Sequence, residues 1–333
     1  MRALLSVRTG GPETLVLRDL PEPTAGPGEV VVRIKACGVN FPDVLMIEDR
    51  YQSKPERPFA PGGEVSGIVR ALGPGVTDLA VGDRVLGNVG QGGMAEAVAV
   101  ETWRLMKIPP AMPFDEAAAF ITTFGTTYHA LKDRSSVKPG QTLLVLGAAG
   151  GVGLTAVTLG KAMGARVVAA ASTQEKVDIC LGQGADVGVV YGRGPFDREG
   201  QKRLAEQFKA ACGADGADII YDAVGGDYAE PALRSIAWEG RYLVIGFAAG
   251  DIPKIPINLA LLKGCEIVGV FFGAWVARNP ARHRQNLVEL LALYEAGKIR
   301  PLVSERFPLE RGGEAIERLR SRQAVGKVVV TMD

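Results

Sequence analysis

The sequence is 333 residues long, comfortable for two domains rather than one core, and its 47% hydrophobic and 23% charged content excludes a disordered chain. A net charge of +1 with no basic block offers nothing to neutralise a row of phosphates, so no nucleic-acid partner is expected. No apolar run reaches the length of a membrane span, and the opening MRALLSVRTGGPETL turns polar too soon for a signal peptide, which makes the cytoplasm the expected compartment.

The first third alternates short β-branched runs with Pro/Gly turns: PEPTAGPGEV before VVVRIKA, then PGGEVSGIVRALGPGV and VGDRVLG. This texture predicts a meandering, mostly antiparallel β domain, a partly closed barrel. Within it ACGVNFPD, residues 36–43, has the look of a metal site built on Cys37 and Asp43. The rest of the chain argues against one. Cys37, Cys180, Cys212 and Cys265 form no C-x-x-C pair, and neither His129 nor His283 lies near a cysteine or carboxylate cluster at ligand spacing.

From about Phe114 the chain becomes Ala-rich and helical. Strand candidates then recur at Thr142 to Leu146, Arg166 to Ala171, Asp186 to Tyr191, Ala217 to Asp222, Arg241 to Phe247 and Glu266 to Phe272, with helical stretches between them. Strand and helix repeated this often predict an α/β fold, a parallel sheet covered on both faces and doubly wound. The segment NLVELLALYEAGK follows, a helix whose Leu287, Leu290, Leu291 and Tyr294 share one face. GEAIERLRSRQAVGKVVVTM closes the chain with a helix and a strand expected to return to the N-terminal domain.

The most informative motif is TLLVLGAAGGVGLTAVTLGKAMGA, a strand, a glycine turn and a helix. Glycine suits a turn where a phosphate must approach the backbone N–H groups of a helix N-terminus, and a dinucleotide pyrophosphate is the ligand of that geometry. Ala148, Ala149, Gly150, Gly151, Val152 and Gly153 are therefore cofactor-binding candidates. The second strand ends at Ala171 and Ser172 with no carboxylate, and Lys176 follows one turn later. A missing acid and a nearby cation favour the 2′-phosphate of NADPH over NADH, with Ser172, Lys176 and Tyr191 as its candidate partners; a merely solvated lysine stays the alternative.

GVNFPD, PGGEVSG, VLGAAGGVG and the closing GKVVV, in that order and spanning the chain, resemble the zinc-free quinone oxidoreductase branch of the medium-chain dehydrogenase/reductase superfamily. The resemblance implies a GroES-like catalytic domain, residues 1–121 and 273–333, interrupted by a Rossmann domain, residues 122–272, with NADPH in the cleft between them. It also implies a homodimer or homotetramer joined through the last Rossmann strand, here CEIVGVFF. Zinc enzymes of the superfamily carry a cysteine where this chain has Asn40 and a histidine where it has Gly63. Their next ligand falls near Thr122 and Thr123, and the cysteine-rich lobe is missing, so no metal is implied. By the same resemblance Asn40 lies near the nicotinamide ribose and Thr126 touches the nicotinamide. Val224, Gly246, Phe247, Phe271, Phe272 and Gly273 line that half of the site, and Lys327 reaches the pyrophosphate. Leu45 departs from the family, which often has a tyrosine there.

Without a Lewis acid, hydride addition to an electron-poor acceptor needs less help than alcohol oxidation, because a conjugated oxygen takes up the charge. The expected substrate is a small quinone. Enones, alkenals and 2-enoyl thioesters are the alternative, with Tyr51 as proton donor on resemblance to the thioester reductases; Tyr51 packed at the cleft mouth is the other reading. An NADPH-binding structural or RNA-binding protein, like zeta-crystallin, is the alternative of another class.

Overall fold

The computed structural model describes residues 1–332. The chain divides into two compact units, one of Met1–Thr122 with the chain from Pro301 onward, the other Thr123–Arg300.

The first unit is organised on one long strand, Glu29–Val39, whose Val30, Val31, Val32 and Ile34 are buried. β-Branched residues suit such a strand because their branched Cβ packs well on the pleated surface. One edge pairs antiparallel with Glu64–Leu72. The other edge is shared: Ala97–Glu101 takes its first half, and Lys327–Thr331 takes Ala36 to Val39. The C-terminal segment thus returns to the N-terminal sheet, as expected. Arg84–Asn88 and Leu105–Lys107 extend the sheet on one side and Val303–Pro308 on the other. The core beneath collects Leu4, Ile34, Cys37, Val44, Ile47, Met94, Ile316 and Val330.

The second unit is a six-stranded, wholly parallel sheet. Its spatial order is Val187–Val190, Arg166–Ala171, Thr142–Leu146, Ala217–Asp222, Ile236–Val244, Glu266–Gly269. Leu143, Leu144, Val145 and Leu146 are all 0% exposed, the continuous apolar run of a strand buried on both faces. Strand order reverses between Thr142–Leu146 and Ala217–Asp222, which opens a crevice at their C-terminal ends. Two of its helices start on side-chain caps: Thr173 for Gln174–Gly182 and Asp197 for Arg198–Cys212.

The structure departs from the expected domain limit at residue 272. The last strand stops at Gly269, and Phe272–Arg278 and Pro280–Glu295 are helices of the second unit. Their polar contacts explain why. Tyr128 Oη donates to Glu289 Oε2 at 2.7 Å, Asn286 Nδ2 to Asp133 Oδ2 at 2.9 Å, and Arg282 to Asp133 Oδ1 at 2.7 Å. The His129 and Trp275 rings stack at 3.9 Å. The apolar face of 280–295 was readable in the sequence; these polar and ring partners were not.

Candidate functional site

The glycine turn joins strand Thr142–Leu146 to helix Gly151–Ala162. Gly147 takes φ +67°, and a Cβ on Gly153 would lie 2.1 Å from the Gly147 carbonyl oxygen, so only glycine lets the helix start this close to the turn. The first backbone bond of the helix is Leu154 N–H to Gly150 O at 2.8 Å. The amides of Gly151, Val152 and Gly153 precede it with no acceptor among the described residues, and Gly150 has no side chain to cap them. Three open N–H groups on a helix of 12 residues form an anion-binding end.

At the next strand end, Ala171 is buried and Ser172 partly exposed, and Thr173 Oγ1 accepts from Lys176 N at 3.3 Å. Lys176 is half-buried, and its ammonium pKa is lowered by desolvation first and then by the charge of Arg193. Arg193 is a second cation that the sequence reading missed. Its only sequence signal is a place in YGRGPF directly after a strand. Tyr228 fixes this loop, accepting from Gly194 N at 3.1 Å and donating to Gly192 O at 3.1 Å. Tyr191 is 6% exposed, and its hydroxyl accepts from the Gly147 backbone, which ties it to the glycine turn.

The turn after Ala217–Asp222 is held by the buried Asp222, whose Oδ1 accepts from Val224 N at 2.7 Å and Gly225 N at 2.9 Å, while Oδ2 takes the Tyr242 hydroxyl. Burial raises the Asp222 pKa, opposed by these hydrogen bonds. Val224 lies against the glycine turn, 2.8 Å from where a Gly147 Cβ would stand. Gly246 N–H reaches Asp222 O at 3.3 Å and Phe247 packs on Gly225, so both join this turn. Thr126 sits on helix Ile121–Tyr128, and its neighbour Thr127 donates to Val152 O at 3.3 Å, tying that helix to the glycine-turn helix. Phe272 packs on Gly125 of the same helix. Phe271 is 59% exposed, and a Cβ on Gly273 would stand in open space.

In the first unit, Asn40 stands at the start of helix Phe41–Ile47, and its backbone N–H donates to Asp43 Oδ2 at 2.7 Å. Asn40 Nδ2 donates to Glu64 Oε2 at 2.9 Å and Gly38 O at 3.2 Å. Lys327 Nζ donates to Asn40 Oδ1 at 2.8 Å, Glu64 Oε2 at 2.9 Å and Val39 O at 3.1 Å. Lys327 is 4% exposed, and these three bonds occupy its three protons. Glu64 is 0% exposed, and its pairing with Lys327 was not anticipated from the sequence. Burial pushes the Asp43 carboxyl up to about 6, against the pull of the Asn40 and Gly62 amides. Cys37 is fully buried, its thiol pushed well up by burial, and its Sγ fills the space that Gly62 and Gly93 leave open. Tyr51 is half-buried against the core, and desolvation and the Asp43 charge both raise its pKa.

Residues 151–292 match the family model described as zinc-binding dehydrogenase, and residues 26–110 match the alcohol dehydrogenase GroES-like domain. The residues here do not fit a zinc ion. Among the described residues no three His, Cys, Asp or Glu side chains gather, and the acceptors Asn40 Oδ1 and Glu64 Oε2 already share the Lys327 ammonium. The quinone oxidoreductase-like protein 2 homolog of Nematostella vectensis is 39% identical over 333 residues, covering 99% of this chain and 88% of that protein. The quinone oxidoreductase of Thermus thermophilus, solved also as its complex with NADPH, aligns over 100% of both chains with TM-score 0.84 and 36% identity. Escherichia coli quinone oxidoreductase complexed with NADPH aligns over 100% of both chains with TM-score 0.91 and 26% identity. The chain belongs to the medium-chain dehydrogenase/reductase superfamily, as a member of its quinone oxidoreductase type.

Proposed function

We propose that this protein is an NADPH-dependent reductase of quinones that works without zinc. The observation that carries the reading is the open helix N-terminus at Gly151, Val152 and Gly153, in the same unit as two cations, Lys176 and Arg193, at a strand end without a carboxylate. These amides bind the pyrophosphate. Lys176, Arg193 and the Ser172 hydroxyl receive the 2′-phosphate. Thr126, Val224 and Phe272 pack the nicotinamide half. NADPH, when bound, supplies the hydride. The NADPH complexes of the Thermus and Escherichia relatives support the same cofactor choice.

One feature favours an enone or enoyl thioester as acceptor. The Tyr51 phenol keeps its proton at neutral pH, because burial and Asp43 raise its pKa, and no described residue hydrogen-bonds its hydroxyl. It is then free to protonate a developing enolate.

The second unit exposes Trp238 (70%), Ile252 (73%), Ile257 (76%), Leu261 (80%) and Leu262 (65%), and its sheet ends on the edge strand Glu266–Gly269, paired on one side only. We propose that a second copy covers this edge, since a bare apolar strand edge invites pairing. No described helix is long and apolar enough to cross a membrane, and we propose a cytoplasmic location. The test of the reading is NADPH oxidation by a quinone with chelator-treated protein. Retained turnover supports it; a loss that zinc restores overturns zinc independence.

A further inference from the structure

We propose that Tyr228 is a positioning residue for cofactor choice: its hydroxyl clamps the chain on both sides of Arg193 and so holds that guanidinium beside Lys176. The inference rests on the reading of Lys176 and Arg193 as the 2′-phosphate site, and it adds the residue that keeps one of the two cations in place.

Arg193 follows the strand Val187–Val190 in a Gly-Arg-Gly stretch. Glycine on both sides leaves the backbone around Arg193 little restricted, and a loose arginine gives up that freedom when it binds an anion. One side chain removes it beforehand. The Tyr228 hydroxyl donates to Gly192 O at 3.1 Å and accepts from Gly194 N at 3.1 Å, so a single oxygen ties together the residues before and after Arg193. A phenol does both, where a carboxylate only accepts and an ammonium only donates. The hydroxyl is in turn fixed by its ring, which is 8% exposed and packs on Tyr191 at 4.8 Å and on Phe196, edge to face, at 5.3 Å. Behind it Asp227 Oδ2 accepts from Phe196 N at 3.1 Å, and Asp222 holds Gly225 N at the start of the turn Gly226–Tyr228. All of these residues belong to the second unit. Arg193 itself is exposed, and no described carboxylate pairs with it. Its charge acts on Lys176 more strongly than that of Glu175 does, so the clamp holds two cations near each other against their repulsion. Such a pair suits a dianion. A 2′-phosphate offers both the charge and the acceptor oxygens, and the unsubstituted ribose of NADH offers no charge to either.

The test begins with the cofactor-free protein. Tyr228→Phe keeps the ring and removes only the hydroxyl, and Gly192 and Gly194 lie on an exposed loop where water takes its place, so the variant folds. Hydrogen exchange at the Gly194 amide is slow in the wild type and about tenfold faster in Tyr228→Phe; equal exchange in the two overturns the clamp. NADPH and NADH affinities are then measured by fluorescence titration in the wild type, Tyr228→Phe, Arg193→Ala and the double variant. Tyr228→Phe weakens NADPH about fivefold and Arg193→Ala about tenfold, while NADH changes less than about twofold in either. The double variant loses no more than Arg193→Ala, because the hydroxyl acts only through that guanidinium. Losses that multiply in the double variant, or a Tyr228→Phe loss that NADH shares equally, make the residue merely structural and overturn the proposal. An unchanged NADPH affinity in Tyr228→Phe, or an Arg193→Ala variant that keeps the wild-type preference, also overturns it. A wild type that binds NADPH no more tightly than NADH sinks the 2′-phosphate reading and the cofactor role with it, while the exchange result still reports the clamp.

Discussion

Lys327 Nζ lies 2.9 Å from Glu64 Oε2, with the two side chains 5% and 0% exposed, although 263 positions separate them in the chain. A buried pair of this kind adds little over well-packed apolar residues, but removing one partner strands a charge. Lys327→Met or Glu64→Gln alone is expected to cost about 3–5 kcal/mol in chemical denaturation, and the two together clearly less than the sum. Additive losses would contradict the pairing.

Asp43 gives a pH signature. Its folded pKa, about 6, lies above the ordinary aspartate value of 3.8. The folded state therefore binds a proton more tightly than the unfolded chain. The resulting stability is full below about pH 4 and is lost as pH rises through about 6, roughly 3 kcal/mol in all. His283, lowered to about 4 by burial, works in the opposite direction over an overlapping range, so the useful quantity is a difference between variants. Subtracting the Asp43→Asn denaturation profile from that of the wild type should leave a decline from pH 4 to 6. A flat difference would show that the Asp43 pKa is not raised.

How much was legible in advance follows from how far each signal reaches along the chain. The glycine turn was readable because Gly147, Gly150, Gly151 and Gly153 stand together and answer one local steric need. The six strands were readable as apolar runs, with ends misjudged where Ile245 to Phe247 and Val270 to Phe272 leave the ladder for turns and a helix. Arg193 was missed because nothing in a local window says that its loop is fixed by Tyr228, 35 positions on. The Glu64–Lys327 pair is the extreme case, since only the closing strand brings its two halves together. Lys327 was recognised as notable, but its carboxylate partner was not foreseen.

Two glycines of the turn separate folding from binding. In Gly153→Ala the new methyl meets the Gly147 carbonyl, and a stability loss of about 1–3 kcal/mol or more is expected. At Gly150 the nearest atom would be 3.4 Å away, ordinary contact, so Gly150→Ala keeps its melting temperature while NADPH binding weakens roughly tenfold. Equal effects of the two substitutions on stability would contradict this division.

In the proposed reading Lys176 and Arg193 set the choice of cofactor. Lys176→Ala should weaken NADPH about tenfold more than NADH, and Arg193→Ala should act in the same direction, each measured by fluorescence titration. Equal losses for the two cofactors would remove the 2′-phosphate from this strand end.

The central claim is hydride transfer from NADPH to a conjugated acceptor, and the most direct measurement is NADPH consumption by wild type and Tyr51→Phe across quinones, enones and enoyl thioesters. The account predicts that the wild type turns over quinones with NADPH faster than with NADH. It also predicts that Tyr51→Phe lowers enone turnover more than quinone turnover. NADPH that binds tightly and is oxidised by none of these acceptors would contradict it.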